Sequence, residues 1–238
     1  MLARSRNISQ GASMVLVARL AALSAFVLLT VMTGPGSAQD KRQNEAGKFD
    51  FYVLSLSWSP SFCDAASQRS PERSSPQCGE RPYSFVVHGF WPQYDRGFPE
   101  YCQKEGPRLD RGIVSSMLDI MPAPQLIFRQ WDKHGTCSGL PPRAYFDTVR
   151  KARAQIKIPS DYLELKETLS VTPDEVEEAF VKANPGMTRG AIAVTCDSTR
   201  LREVRVCVNK DLSFRDCPDI DRRACRRAKL VMPPVRGG

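Results

Sequence analysis

Histidine is scarce in this sequence. Only two of the 238 residues are histidines, His88 and His134. A metal site made of three or more imidazoles is therefore excluded, and proton transfer by an imidazole near neutral pH has only these two residues available. Because a lone histidine is most often a satisfied structural residue, each needs support from its neighbours before it is given a chemical role.

Long apolar runs are also lacking, apart from one near the start of the chain. Residues 20–32 carry no charge, follow three arginines and precede the small residues 36–38. This run is shorter than the roughly 20 apolar residues that cross a bilayer, which favours a signal peptide over residues 1–38 and disfavours a membrane anchor. We therefore expect a secreted or periplasmic protein with no stable membrane association after cleavage.

The cysteines lack the Cys-x2-Cys spacing that is typical of zinc sites. Eight cysteines are present, all beyond residue 38, and an even number in an exported chain favours disulfides over zinc. Eight cysteines allow 105 pairings. The sequence alone leaves the pairing open, although the short interval between Cys207 and Cys217 makes a bridge nested inside Cys196–Cys225 geometrically natural. The pairs that we expect are Cys63–Cys78, Cys102–Cys137, Cys196–Cys225 and Cys207–Cys217.

Acidic residues are fewer than basic ones. Residues 1–38 contain three of the 34 Lys and Arg and none of the 26 Asp and Glu, so residues 39–238 keep 31 basic against 26 acidic side chains, a net charge of +5. This balance suits a polyanionic substrate, although many inert proteins are equally basic. Residues 39–238 contain no internal repeat and no interdomain linker, and their length suits one domain.

The pattern beyond residue 38 predicts strands first, helices in the middle and strands last. Strands are predicted at 51–58, at 83–88 with a break at Gly89, at 191–196 and at 201–208. Helices are predicted around 109–120 and at 125–137, 143–156 and 172–184, the last with a capping box. This order indicates an α+β fold, a central and largely antiparallel β-sheet with helices packed on one side in a disulfide-stabilised single domain.

Two connecting segments are predicted to be surface loops, 61–82 and 97–107, because they are rich in turn-forming residues. The basic segment 222–238 is expected to be a solvated tail, with contact to phosphate as the alternative.

Both histidines have unusual neighbours. His88 ends the second predicted strand and is followed by glycine, tryptophan and proline within the segment 87–92, VHGFWP. His134 lies in the segment 129–137, RQWDKHGTC, four residues after Gln130. A spacing of four places these two side chains on one face of a helix.

These segments resemble the two active-site segments of the ribonuclease T2 family. Residues 87–92 are similar to its first segment, [IV]-H-G-L-W-P, and residues 131–137 to the end of its second, H-E-W-x-K-H-G-T-C. The strand that runs towards Cys63 is similar to the family's opening strand, so the resemblance covers essentially all of residues 39–238.

The resemblance implies an endoribonuclease that cleaves single-stranded RNA through a 2′,3′-cyclic phosphate to 3′-phosphate ends, with no metal or other cofactor. It implies that His134 is the general base, that His88 is the general acid and that Lys133 stabilises the developing negative charge. One imidazole must then be neutral and the other protonated, so the rate should be bell-shaped in pH. We expect a monomer.

Two positions depart from the family pattern. Arg129 replaces a phosphate-contacting histidine and can itself grip a phosphate, together with Lys133. Gln130 replaces a glutamate; it can hydrogen-bond at the catalytic centre but carries no charge. Without that carboxylate the imidazolium form of His134 loses stabilisation, so we expect the pKa of His134 to be lower than it would be with a glutamate at position 130.

Aromatic and amide side chains near His88 are candidates for binding a base. Trp91 can serve as a stacking platform, although core packing is the alternative, and Gln93 lies where some relatives read the base edge. Tyr94 is a further candidate, and Phe98 and Tyr101 can add stacking area, although loop aromatics often pack beneath their own loop. Trp131 is expected to be a buried support for its helix.

Three other classes of function stay open. A Cys-His hydrolase would use Cys137 as a thiolate, and a zinc enzyme would need ligand spacings that the sequence does not contain. A binding protein that keeps the fold but has lost its chemistry is the third, with Gln130 as the mark of that loss. Retention of both imidazoles and Lys133 favours the enzyme.

Overall fold

The computed structural model describes residues 42–69, 75–79, 81–103 and 106–235. They belong to one compact unit that spans residues 39–238, and the expected signal peptide, 1–38, lies outside the described residues. None of the helices in the described ranges has the length and hydropathy that a membrane span requires.

The secondary structure alternates between short strands and helices of one to four turns. The strands are β1 (Phe51–Trp58), β2 (Phe85–Gln93), β3 (Leu169–Val171), β4 (Ile192–Cys196), β5 (Leu201–Val208) and β6 (Leu230–Met232). The α-helices are α1 (Ser59–Arg69), α2 (Arg111–Met117), α3 (Pro124–Lys133), α4 (Pro142–Gln155), α5 (Pro173–Ala183) and α6 (Pro218–Asp221).

Four of the strands form one antiparallel sheet in the order β2-β1-β5-β4. The N-terminal strand β1 is therefore central, and the C-terminal strand β5 lies directly beside it. Strands β3 and β6 pair separately as a second antiparallel ribbon. The expectation of a largely antiparallel central sheet is confirmed.

One face of the four-stranded sheet carries the main hydrophobic core. Leu54 and Leu56 of β1 and Val204 and Val206 of β5 are fully buried there, against side chains of helices α2 to α5. Each fully buried side chain of this kind stabilises the fold by about 1.5–3 kcal/mol. The opposite face has a smaller cluster around Val53, covered by the short helix α6, so helices lie mainly, but not solely, on one side.

Three expectations about local structure are wrong. Residues 59–69 form helix α1 and not a loop, because Pro60 lies in the first turn, where its missing N–H costs nothing. Strand β2 continues through Gly89 to Gln93. Helix α3 ends at Lys133 and is followed by a 3₁₀ turn, Gly135–Ser138, so His134 is its C-cap.

The expectation of a solvated C-terminal tail is also wrong for residues 222–235, whose backbone packs against the rest of the fold. The Cys225 N–H donates to the Val194 carbonyl oxygen (2.7 Å), and Leu230–Met232 pair with β3 as β6. The buried Trp58 indole N–H donates to the Pro233 carbonyl oxygen (3.2 Å). The local composition of the segment could not predict these contacts, because their partners are distant in the sequence.

All eight cysteines form disulfides, and the pairs are those assigned from the sequence: Cys63–Cys78, Cys102–Cys137, Cys196–Cys225 and Cys207–Cys217. Cys63–Cys78 closes the segment after α1. Cys102–Cys137 ties the loop before α2 to the turn after His134. The two nested bridges fasten the segment around α6 to β4 and β5.

The buried side chain of Asn184 ends helix α5 and fixes the chain that follows helix α4. Its Nδ2 donates to the carbonyl oxygens of Lys157 (2.9 Å) and Phe180 (2.8 Å), and its Oδ1 accepts the Lys157 N–H (2.7 Å). One side chain therefore satisfies three buried or partly buried backbone groups.

We expect Asn184→Ala to lower the free energy of unfolding by about 2–4 kcal/mol, because buried polar groups lose their partners. Urea titration followed by circular dichroism measures the change. The exposed Lys182→Ala on the same helix is the control and should stay within about 0.5 kcal/mol of the unaltered protein. Equal stability of the two variants would contradict the role of Asn184.

Candidate active site

A β-bulge in β2 sets the position of His88. Ser55 of β1 faces Gly89, but the next β1 residue, Leu56, faces Val87, so His88 is the extra residue on its strand. The bulge shifts the alternation of side chains. Val87 and Phe90 are therefore both fully buried in the main core, while His88 and Trp91 lie on the opposite face.

A carboxylate that the sequence analysis missed holds the His88 ring. His88 Nδ1 lies 2.5 Å from Glu203 Oε1, although β1 separates their strands. The bridge is possible because Ser57, the β1 residue that pairs with Glu203, has a small side chain. Glu203 also accepts the Nε (3.0 Å) and Nη2 (2.8 Å) hydrogens of Arg205.

The surroundings of Glu203 keep it ionised. Burial alone would raise the pKa of its carboxyl group, but the hydrogen bond and charge of His88, together with Arg205, hold that pKa at about 2. The ionised carboxylate accepts a hydrogen bond from His88 Nδ1, which places a ring proton on Nδ1 and orients the ring. Nε2 is then the ring nitrogen left for chemistry.

His134 has the opposite environment. It is 8% exposed and lies between the rings of Trp91 and Phe98, with centroid distances of 5.5 and 6.3 Å. Its Nδ1 is buried without a hydrogen-bond partner, so the ring can meet a substrate only through its Nε2 edge. Burial, followed by the charges of Lys133 and His88, lowers the pKa of His134 to about 3. The expected effect of Gln130 in place of a glutamate stays a prediction, because burial is the main cause of this lowering of the His134 pKa.

Trp91 stands between the two imidazoles. Its ring centroid lies 5.4 Å from that of His88, in an edge-on arrangement, and 5.5 Å from that of His134. The two imidazole centroids are therefore no more than about 11 Å apart. The indole Nε1 donates to Gln130 Oε1 at 2.7 Å, which links the sheet to helix α3.

Gly89 is required by this link. A β-carbon at position 89 would lie 2.0 Å from Trp91 Nε1 and 2.2 Å from Gln130 Oε1, far inside van der Waals contact. Since real β-carbons do not approach other atoms so closely, any other residue must displace the hydrogen bond.

Cations line a cleft next to these rings. The cleft has a volume of about 510 Å³ and is bordered by His88, Tyr101, Leu126, Arg129, Gln130, Asp132 and Lys133. Lys133 Nζ pairs with Glu100 (3.1 Å), a partner that the sequence analysis did not identify. Arg129 is exposed, and within the described residues only its Nε is engaged, by the Gln125 carbonyl oxygen at 3.3 Å. Both cations can therefore turn towards a phosphate.

Not every predicted base-binding residue reaches the cleft. Gln93 is buried and donates to the Pro92 carbonyl oxygen (2.9 Å). Tyr94 is also buried, and its hydroxyl donates to the Arg42 carbonyl oxygen (2.6 Å). Trp91 is half-buried, whereas Tyr101 is 55% exposed at the rim of the cleft. The base-binding roles of these residues stay predictions.

Trp131 and Cys137 have structural roles. The buried Trp131 donates its indole N–H to the Pro107 carbonyl oxygen (2.9 Å), as expected of a support for its helix. Cys137 is bonded to Cys102, so the alternative of a thiolate nucleophile at this position is wrong. In the described ranges, no three His, Cys, Asp or Glu residues are grouped so that they could hold a metal ion.

The comparisons with known proteins agree with one another. The family model described as the Ribonuclease T2 family matches residues 49–217. A ribonuclease of Aeromonas hydrophila is 33% identical over 190 residues, 78% of this chain and 84% of that protein. A probable ribonuclease of Haemophilus influenzae is 34% identical over 155 residues, 60% of this chain and 57% of that protein.

Solved structures share the fold. RNase NT in complex with 5′-AMP superposes with a TM-score of 0.60 at 26% identity, covering 78% of this chain and 98% of that one. An RNase-related protein from Calystegia sepium has a TM-score of 0.63 at 22% identity, covering 79% of this chain and 98% of that one.

We expect Gly89→Ala to break the contact between Trp91 and Gln130, because the added methyl group occupies the space of that hydrogen bond. Overpacking of this kind costs about 1–3 kcal/mol, and a shift of about 1 Å at a catalytic centre can cost about 100-fold in rate. Tryptophan fluorescence and RNA cleavage measure both effects. Gly79→Ala, whose nearest neighbour would be 3.7 Å away, is the control. Unaltered fluorescence and activity in Gly89→Ala would refute the requirement for glycine.

Proposed function

Since the chain belongs to the ribonuclease T2 family and is a ribonuclease of that type, we propose that it cuts single-stranded RNA by transphosphorylation through a 2′,3′-cyclic phosphate. His134 takes the proton of the 2′-hydroxyl, and His88 protonates the leaving 5′-oxygen. Hydrolysis of the cyclic phosphate then gives 3′-phosphate ends. One observation carries this proposal: two imidazoles contact the same indole ring but have opposite electrostatic surroundings.

The division of labour between the imidazoles follows from those surroundings. A general base must be neutral, and burial of His134 beside Lys133 disfavours its charged form. A general acid must present a proton to the leaving oxygen, and the Glu203 carboxylate at 2.5 Å from His88 Nδ1 holds that ring so that its Nε2 is the nitrogen available to donate. Pairs of groups whose environments favour opposite protonation states are typical of acid–base catalysis.

The cations supply the electrostatic part of the mechanism. Negative charge develops on the phosphoryl oxygens in the transition state, and preorganised cations stabilise it. Lys133 neighbours His134 in the chain and exchanges Glu100 for the phosphate when substrate binds. Arg129 offers its unengaged guanidinium nitrogens, which suit bidentate binding of phosphate. No metal is needed in this scheme, because the nucleophile is the 2′-oxygen of the substrate itself.

Trp91 and Gln130 act together as positioning residues in this mechanism. The indole spaces the two imidazoles, and Gln130 keeps the indole in place through its Oε1. Stacking of a substrate base on Trp91 stays a prediction, with the exposed Tyr101 as additional stacking area. A base–aromatic stack contributes about 1–3 kcal/mol and tolerates any base.

We propose that the protein acts outside the cytoplasm as a monomer, with no stable membrane association after its signal peptide is removed. The character of residues 1–38 supports export, and four disulfides suit an oxidising compartment.

The test of the proposed function is cleavage of yeast RNA in the presence of EDTA, with identification of the product ends. We expect undiminished release of acid-soluble nucleotides, and cyclic phosphate ends that turn into 3′-phosphates. Loss of activity in the chelator would indicate a metal mechanism, and products with 5′-phosphates would exclude attack by the 2′-oxygen.

We expect Gln130→Glu to raise the pKa of His134 from about 3, because a carboxylate one helical turn away stabilises the imidazolium form. The base must be neutral, so activity grows as pH rises through its pKa. The acidic limb of the pH profile should therefore move to higher pH, while the alkaline limb stays in place. An unchanged acidic limb in kcat/KM would contradict the assignment of His134 as the base.

We expect Glu203→Gln to lower kcat by roughly 10- to 100-fold, at or below the lower end of the 10²–10⁴-fold that general acid–base catalysis contributes. The variant loses the carboxylate that holds His88 Nδ1 at 2.5 Å, so the His88 ring is no longer fixed for proton donation. Because the ring acts in the chemical step, the loss should appear in kcat with KM nearly unchanged. The exposed Glu167→Gln is the control. An unaltered kcat, or a rise in KM alone, would contradict the positioning role of Glu203.

A further inference from the structure

The C-terminal segment forms a second concentration of positive charge that the mechanism does not use. Its side chains are exposed and are called here the basic rim: Arg222, Arg223, Arg226, Arg227 and Lys229. Arg222 and Arg223 share one carboxylate, that of Asp219. In the part of the chain that the structure describes, Arg227 and Lys229 have no ion pair or hydrogen bond.

The basic rim is held firmly beside β4. The Cys225 N–H donates to the Val194 carbonyl oxygen, and the Cys196–Cys225 disulfide fastens the same turn. Arg223, Arg226 and Arg227 border, together with Thr195 of β4, a concavity of about 490 Å³. The cations of the rim are therefore presented at a fixed place on the sheet.

A continuous row of side chains connects this concavity to His88. Ser57 of β1 pairs with Glu203 of β5, and Glu203 pairs with Thr195 of β4. His88 reaches over Ser57 to Glu203, so the row crosses the sheet from β2 to β4 on the face opposite the main core. It spans three strand spacings of roughly 4.8 Å each, about 14 Å in all, and Ser57, Glu203 and Thr195 are all partly exposed.

The charges along the row allow the phosphate backbone of RNA to lie against it. Glu203 is the acidic member, and His88 and Arg205 neutralise it. Ser57 and Thr195 offer hydroxyl donors, and the rim at the far end is cationic. Asp219 and Asp221 are the acidic residues of the α6 segment next to the rim, and Asp219 is already paired.

We infer that the nucleotides on the 3′ side of the cleaved bond run from His88 along this row to the basic rim, which binds their phosphates. This inference rests on the proposed function, because the polarity follows from His88 protonating the leaving 5′-oxygen, which begins the 3′ part of the RNA. Lys133 and Arg129 belong to helix α3 and border the cleft, not the row across the sheet. Substrate binding is therefore directional.

The test uses oligodeoxynucleotides with a single ribonucleotide, since only its 2′-hydroxyl permits cleavage and the scissile bond is thereby fixed. Three substrates are compared. The first is a dinucleotide, the second is this dinucleotide with four nucleotides added on its 3′ side, and the third is the dinucleotide with four nucleotides added on its 5′ side. We expect the 3′ extension to raise kcat/KM by about tenfold or more at low salt, and the 5′ extension to raise it much less.

The variant Arg226→Ala/Arg227→Ala/Lys229→Ala should lose most of the gain from the 3′ extension and keep the kcat/KM of the dinucleotide. Each lost phosphate contact should reduce the slope of log kcat/KM against log salt by about 0.7, so about 2 for three contacts. The control, Lys151→Ala/Lys157→Ala/Lys182→Ala, removes the same charge from exposed lysines on the helical side and should behave like the unaltered protein.

The outcomes are distinguishable. Equal gains from both extensions, or an equal loss in both triple variants, would overturn the directional path in favour of general electrostatic attraction, while the proposed function would stand. Failure of the unaltered protein to cut the dinucleotide at its ribonucleotide, with yeast RNA also intact, would overturn the proposed function and this inference with it.

Discussion

The hydrogen bond from the Trp91 indole to Gln130 joins the sheet to helix α3, and the placement of both imidazoles depends on it. His88 lies against the edge of the indole, and His134 follows Gln130 by one helical turn. The contact passes over Gly89, where there is no room for a β-carbon. The bulge, the glycine, the tryptophan and the glutamine therefore meet a single geometric requirement, and none of them can vary independently of the others.

The two imidazoles lie in different surroundings although they are the same residue type. Desolvation dominates at His134, which is closed in by Trp91 and Phe98 and has a buried, unpaired Nδ1. A carboxylate dominates at His88, and that carboxylate is supported by Arg205. The cation Arg205 also lies 5.3 Å from the centre of the Trp91 ring, so one network reaches from Glu203 to the indole.

Local signals in the sequence were sufficient for much of the fold. The alternation in 51–58 and 201–208 predicted β1 and β5 at their observed bounds, and Thr172 with Glu175 marked the start of α5 through a capping box. The two family-like segments named His88, His134, Lys133 and Gln130. The structure brings His88, His134 and Gln130 together around Trp91, and Lys133 borders the cleft beside them. Helix α1 was missed because the turn-forming residues in 61–82 indicated a loop over the whole segment.

The parts that could not be predicted depend on contacts between distant segments. Glu203 lies two strands away from His88 and meets it only because Ser57 is small, and Glu100 meets Lys133 through a folded loop. Because side chains alternate along a strand, the inward-facing Val204 and Val206 did imply that Glu203 and Arg205 point to the other face of the sheet. The order of the strands was the missing information that would have linked that face to His88.

The two edge strands of the four-stranded sheet, β2 and β4, are covered in a way that affects the tendency of the protein to aggregate. On the outer side of β2, the Val87 N–H donates to the Ile120 carbonyl oxygen, and on the outer side of β4 the Val194 carbonyl oxygen accepts the Cys225 N–H. Backbone groups at both margins are thus already occupied, which blunts the edge-to-edge pairing that leads sheet proteins to aggregate. The Cys196–Cys225 bridge secures one of these two covers, so its reduction would free the turn that shields the β4 margin.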